Sequence, residues 1–188
     1  MNWIAFAIAA WVACGLEYGL KDAFRLGQTP VAPSFLLILG VFVCLWASPQ
    51  ALMAACLVVG LLLDFLYLQQ VQGTERWLTV PGPHALGLLL GGYAVLNMRG
   101  LMFRRNALAL AFLCLVAGAL MHIVAWALLY LRGVWGEPVF GGVAGELGYR
   151  LGSAVYTGVV ALVVGLILSV MRPIFGFPAD TKRGFKMP

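Results

Sequence analysis

Residues 50–68, QALMAACLVVGLLLDFLYL, run from Gln50 to Leu68 with a single charge, Asp64. About 20 apolar residues in a row match the ~30 Å hydrocarbon core of a bilayer when helical. The stretch lacks the period-2 alternation of a barrel strand, so a transmembrane helix is expected. A carboxylate near mid-bilayer costs on the order of 3 kcal/mol even on lenient insertion scales, so Asp64 needs a buried partner or a task. Three readings stand open. One is a structural contact to a neighbouring helix, through Asn97, Tyr67 or a cationic end residue. The second is a grip on a partner protein or small ligand, and the third is proton or cation coupling.

The rest of the chain agrees with a membrane setting. Of its 188 residues, 63% are hydrophobic and 10% charged, with a mean hydropathy of +0.97. Soluble domains hold roughly 45–50% apolar and about 25% charged residues. An all-α integral membrane protein is expected, with a bundle of about six transmembrane helices forming a single polytopic domain over residues 1–188. The apolar runs place helices at Trp3 to Leu20, Pro33 to Ala47, Gln50 to Leu68, His84 to Met98, Ala107 to Leu131 and Leu151 to Met171. The second and fourth are short for a span. Ser48-Pro49-Gln50 makes the second and third a tight antiparallel hairpin. A longer loop, Gln69 to Pro83, ends in Pro81-Gly82-Pro83, which stops any helix. The glycine-rich connection from Arg132 to Arg150 is expected to be irregular.

The basic residues divide seven to five across a six-helix topology. Arg99, Arg104, Arg105, Arg172, Lys182, Arg183 and Lys186 share the side of both termini. Lys21, Arg25, Arg76, Arg132 and Arg150 lie on the other. The positive-inside rule then puts both termini of a multi-pass protein in the cytoplasm, with Arg99, Arg104 and Arg105 in one basic loop facing cytoplasmic partners or anionic lipid. The formal net charge of +5 is a topology signature, since no basic stripe is interleaved with exposed aromatics as nucleic-acid binding requires. Met1-Asn2-Trp3 has no basic n-region, so a cleaved signal peptide is not expected.

Chemistry-bearing motifs are sparse. His84 and His122 are the only histidines and lie on different helices, whereas a zinc site takes three or four ligands. They are expected to make a helix-start polar contact and an interhelical hydrogen bond respectively. No serine sits in a Gly-x-Ser-x-Gly elbow, and phosphate-cradling glycine loops are absent. Cys14, Cys44, Cys56 and Cys114 fall within apolar helices as small packing residues. No catalytic residue, metal or cofactor is expected. Three small-xxx-small pairs, Gly15 with Gly19, Gly87 with Gly91 and Gly148 with Gly152, allow close backbone approach within the bundle or toward a partner helix.

Several stretches in order carry a resemblance. Pro33-Ser34-Phe35-Leu36-Leu37-Ile38-Leu39 opens the second helix, Gly60-Leu61-Leu62-Leu63-Asp64 follows in the third, and His84-Ala85-Leu86-Gly87 leads to Gly92-Tyr93. From Pro33 to Arg105 the chain resembles the bacterial rod shape-determining protein MreD family. One departure is the long Gln69 to Pro83 loop, where such sequences usually carry a short Ser-Gly-x-x-x-Gly link.

The resemblance implies a non-enzymatic scaffold of the bacterial inner (cytoplasmic) membrane, part of the cell-wall elongation machinery, or elongasome. It would bind an MreC-like single-span protein and link cytoplasmic MreB to RodA and its transpeptidase in peptidoglycan synthesis, and so control cell shape. It also implies a fold similar to the substrate-binding subunit of energy-coupling-factor transporters. Asp64, Gly60, Gly87, Gly91, Tyr93 and Pro33 are then the expected partner-binding residues. The rival expectation is a vitamin-capture subunit of such a transporter, holding its ligand at the outward end with Trp77, Trp135 and Asp64. A lipid-modifying enzyme lacks the clustered histidines or acids it would need.

Overall fold

The computed structural model describes residues 1–70, 77–101, 106–135 and 143–177. Six α-helices follow one another: α1 (Trp3–Leu20), α2 (Phe35–Trp46), α3 (Pro49–Leu66), α4 (Pro83–Met98), α5 (Ala107–Trp135) and α6 (Val143–Met171). A 3-10 turn, Arg172–Phe175, closes the described chain, and a two-residue antiparallel pair, β1 (Gln69–Gln70) with β2 (Trp77–Leu78), flanks the loop between α3 and α4. The helix starts follow local chemistry. The Asn2 side chain accepts from the amides of Ile4 and Ala5, Ser34 from Leu37 and Ser48 from Ala51 ahead of Pro49. Each thereby satisfies a donor that a helix leaves unpaired at its first turn.

Four helices, α1, α3, α5 and α6, are long and apolar enough to cross a membrane. The second expected span is a different object. With 12 residues, α2 is about 18 Å long at ~1.5 Å per residue, too short for the hydrocarbon core on its own. Its residues from Phe35 to Leu45 are all buried, and it touches each of the other five helices. It is the central pillar of the molecule. The residues before it, Val31 to Ser34, are buried without being helical. Such backbone is tolerated at membrane depth only inside protein or beside a polar cavity. Here α6 supplies the partners: Ser34 N donates to Thr157 Oγ1 at 3.0 Å and Ala32 N to Ser153 Oγ at 3.4 Å.

The remaining helices pack around α2 through glycines. A Cβ added to Gly87 would lie 2.5 Å from Met121 O, and one on Gly91 would lie 2.8 Å from Ala117 O. The α4 and α5 backbones are therefore in direct contact, which is how helices associate when lipid gives no hydrophobic drive. Gly60 meets the backbone of Ala85 in the same way, joining α3 to α4.

The expected irregular connection from Arg132 to Arg150 is helical at both ends, since α5 runs on to Trp135 and α6 starts at Val143. Glycine costs roughly 1 kcal/mol in a helix. Against this, the first turns of α6 carry an i,i+4 ion pair, Arg150 Nε to Glu146 Oε1 at 2.8 Å, and α6 packs along α5. At the opposite end, Asn2 N donates to Phe175 O at 2.8 Å, and Phe175 packs edge-on against Phe42 of α2. Both ends of the described chain thus lie together beneath the C-terminus of α2.

Candidate functional site

The α4 helix starts without a cap of its own. Gly82, at φ +117°, makes a turn that only glycine adopts freely, and Pro83 takes the first helical position. The missing acceptor comes from α3. Asp64 accepts from Gly82 N at 2.8 Å, from His84 N at 2.9 Å and from Ala85 N at 3.3 Å. His84 Nδ1 completes the set at 2.8 Å from Asp64 Oδ1. Both side chains are buried. The carboxylate sits where the N-terminal end of a helix dipole favours negative charge, so its burial is compensated by backbone and imidazole together. Of the three readings open in the sequence, the structural contact describes this geometry, with His84 and the α4 start as partners in place of Asn97 or Tyr67.

Glu17 repeats the arrangement one hairpin earlier. This carboxylate, buried in the last turns of α1, accepts from Leu36 N at 3.1 Å and from Ser34 Oγ at 3.2 Å, at the start of α2. Its other oxygen accepts from the Tyr67 hydroxyl at 2.7 Å. Glu17 is not among the site residues expected from the sequence. The signal was available: it is an acid inside the first apolar run.

Tyr67 joins the two caps. Its ring stacks on His84 with centroids 5.5 Å apart, and the Lys21 ammonium lies 4.2 Å from its ring centroid on the face. Burial, reinforced by the Glu17 carboxylate, raises the Tyr67 phenol well above its ordinary value. Burial lowers the Lys21 ammonium, with Glu17 acting in the opposite sense. Above this network opens a cavity of about 220 Å³, lined by Lys21, Ser34, Tyr67, His84, His122, Arg150 and their neighbours. His122 enters from the middle of α5 edge-on to His84, with centroids 6.3 Å apart. Its Nδ1 is buried with no hydrogen-bond partner, so the interhelical bond expected of His122 is not made at that nitrogen.

The other expected site residues scatter. Gly60, Gly87 and Gly91 are consumed by contacts within the chain: the glycines expected to receive a partner helix receive α4 and α5 instead. Pro33 is buried in the extended segment before α2, and Tyr93 is exposed. Arg99 was expected in a loop facing lipid or partners. Its guanidinium instead donates to Cys44 O at 3.0 Å and Ala47 O at 2.7 Å, closing the C-terminus of α2, because a helix end leaves carbonyls that a cation satisfies well. Arg104 and Arg105 lie outside the described residues. Trp77 and Trp135 are exposed and do not line the cavity.

A surface along α1 remains open. A Cβ on Gly15 or Gly19 would meet nothing within 4 Å. Beside them an apolar groove between α1 and α3 is lined by Trp11, Gly15, Tyr18, Leu62 and Phe65. Of the four spanning helices, α1 is the least buried. The class these features define is a helical membrane protein whose short internal helices are capped by carboxylates from their neighbours. No protein-family model, curated protein or solved structure matches the chain.

Proposed function

We propose that this chain is a non-enzymatic scaffold of the MreD type in the bacterial cell-wall elongation machinery. It binds an MreC-like single-span protein and joins MreB filaments to peptidoglycan synthesis by RodA and its transpeptidase. The observation that carries this reading is the placement of the residues behind the resemblance. Pro33 and Ser34 open α2, Gly60 joins α3 to α4, Asp64 and His84 cap α4, and Gly87 seats α5. All of them build a framework. The Asp64–His84 pair could orient acid–base chemistry, but among the described residues no hydroxyl or thiol bonds the second ring nitrogen of His84. Acid–base catalysis in a triad needs that third group.

With Gly60, Gly87 and Gly91 occupied, the partner helix docks in the α1–α3 groove, along Gly15 and Gly19. Close backbone approach there supplies the packing that drives helix association in lipid. Both termini face the cytoplasm, where the basic loop containing Arg104 and Arg105 meets anionic headgroups, and the polar cavity opens to the outside. Co-purification of a single-span protein with the tagged chain tests the reading. Gly15→Leu and Gly19→Leu, whose side chains enter open space, should cut recovery about ten-fold while leaving the fold intact. Equal recovery from wild type and both variants would remove the groove from the account.

A second reading, capture of a small molecule for an energy-coupling-factor transporter, is favoured by the cavity at the capped ends of α2 and α4. Stable recovery of ATPase subunits in place of a single-span protein would select it.

A further inference from the structure

The cavity has a chemical character of its own. Its floor is already satisfied: Glu17 and Asp64 are saturated by donors from α2, α4, Tyr67 and His84, so neither seeks a cation. On the wall, Arg150 is matched by Glu146. Lys21 makes no ion pair among the described residues, its ammonium resting against the Tyr67 ring. Deeper in, His122 presents a buried Nδ1 without a partner. Most buried side-chain polar atoms in folded proteins are paired, and an orphan calls for a reason.

We infer that the cavity binds a small polar molecule through an acidic group held by Lys21 and a hydrogen bond to His122 Nδ1. The volume of about 220 Å³ exceeds the roughly 150 Å³ that accommodates benzene, which sets the occupant near about ten non-hydrogen atoms. Glycerol phosphate has that size and chemistry. It exists both as a free solute and as the headgroup portion of an anionic phospholipid, and both carry the same phosphate to Lys21. The saturated carboxylates disfavour a cationic ligand, because no acceptor on the floor is left over for it. The inference requires neither transport nor partner binding. It rests on the cavity and its two uncommitted groups.

The test uses the full chain in nanodiscs, with thermal unfolding followed by tryptophan fluorescence. In phosphatidylcholine discs, sn-glycerol 3-phosphate or L-glutamate at about a hundred times Kd should raise the midpoint by about 5–10 °C. If the source is lipid, discs containing phosphatidylglycerol should show that rise on their own, and added glycerol 3-phosphate should then contribute nothing. In either case Lys21→Gln and His122→Leu should each weaken binding about ten-fold or more. His122 Nδ1 bonds no protein atom, so the ligand-free midpoint of His122→Leu should equal or exceed that of the wild type, which separates lost binding from lost folding. No rise with any probe in either lipid, or an equal rise in both variants, overturns the inference. Recovery of a single-span partner would be unaffected by that failure.

Discussion

The Oδ1 atom of Asp64 accepts from both the backbone amide and the ring Nδ1 of His84, at 2.9 and 2.8 Å. A carboxylate near the end of one membrane helix is thus the N-cap of the next. Glu17 stands in the same relation to Leu36 at 3.1 Å. The two caps hold the starts of α2 and α4, the two shortest α-helices, and Tyr67 bridges them.

Truncating Asp64 leaves three amides and an imidazole without their acceptor in a buried site. Asp64→Ala should destabilise the fold by about 3 kcal/mol, combining a lost cap with an unpaired buried group. Asp64→Asn keeps an acceptor oxygen and should cost less than half as much. Thermal unfolding in detergent gives the ranking, and equal loss from both variants would mean that capping is not what Asp64 does.

The Glu17 cap divides into parts. Tyr67→Phe removes one hydrogen bond to Glu17 and should cost about 1 kcal/mol, whereas Glu17→Ala also strips Leu36 N and Ser34 and should cost about 2–3 kcal/mol. The double variant should fall short of the sum, because both changes act on one bond. A strictly additive result would uncouple the two groups.

Glycine substitutions should split by location. Gly87→Leu and Gly91→Leu force α4 off the α5 backbone and should abolish recovery of folded protein by size-exclusion chromatography. Gly15→Leu should elute like the wild type. A normal profile for Gly91→Leu would contradict the close α4–α5 crossing.

Arg99 closes the C-terminus of α2 with two charge-assisted hydrogen bonds. Arg99→Gln should cost about 1.5–3 kcal/mol. Arg99→Lys should recover only part of that, since an ammonium does not reproduce the guanidinium fork. Chemical unfolding midpoints measure both, and full rescue by lysine would leave charge alone as the cause.

Much of this architecture is legible in the chain. Long apolar runs give α1 to the residue, α3 to within two residues and the start of α5, because few other structures satisfy their backbone in lipid. Asp64 announces itself by its cost. The central, buried position of α2 is less visible, since an apolar run of 12 residues looks the same whether lipid or protein surrounds it. The partners of Asp64 and Glu17 lie 17 to 50 residues away, so they come from the fold and not from local spacing. The direction of the glycine faces is equally hidden: Gly87 and Gly15 sit in similar patterns, yet one meets backbone and the other open space. The start of α6 escaped because glycine propensity was weighed without the packing and ion pair that outweigh it.

The scaffold account is tested most directly by a photo-crosslinking amino acid placed at Trp11, in the α1–α3 groove, in living cells. The account predicts one dominant adduct with a single-span protein of the cell-wall machinery, lost when Gly15→Leu is added. Adducts with lipid alone, or with the subunits of an ATPase, would contradict it.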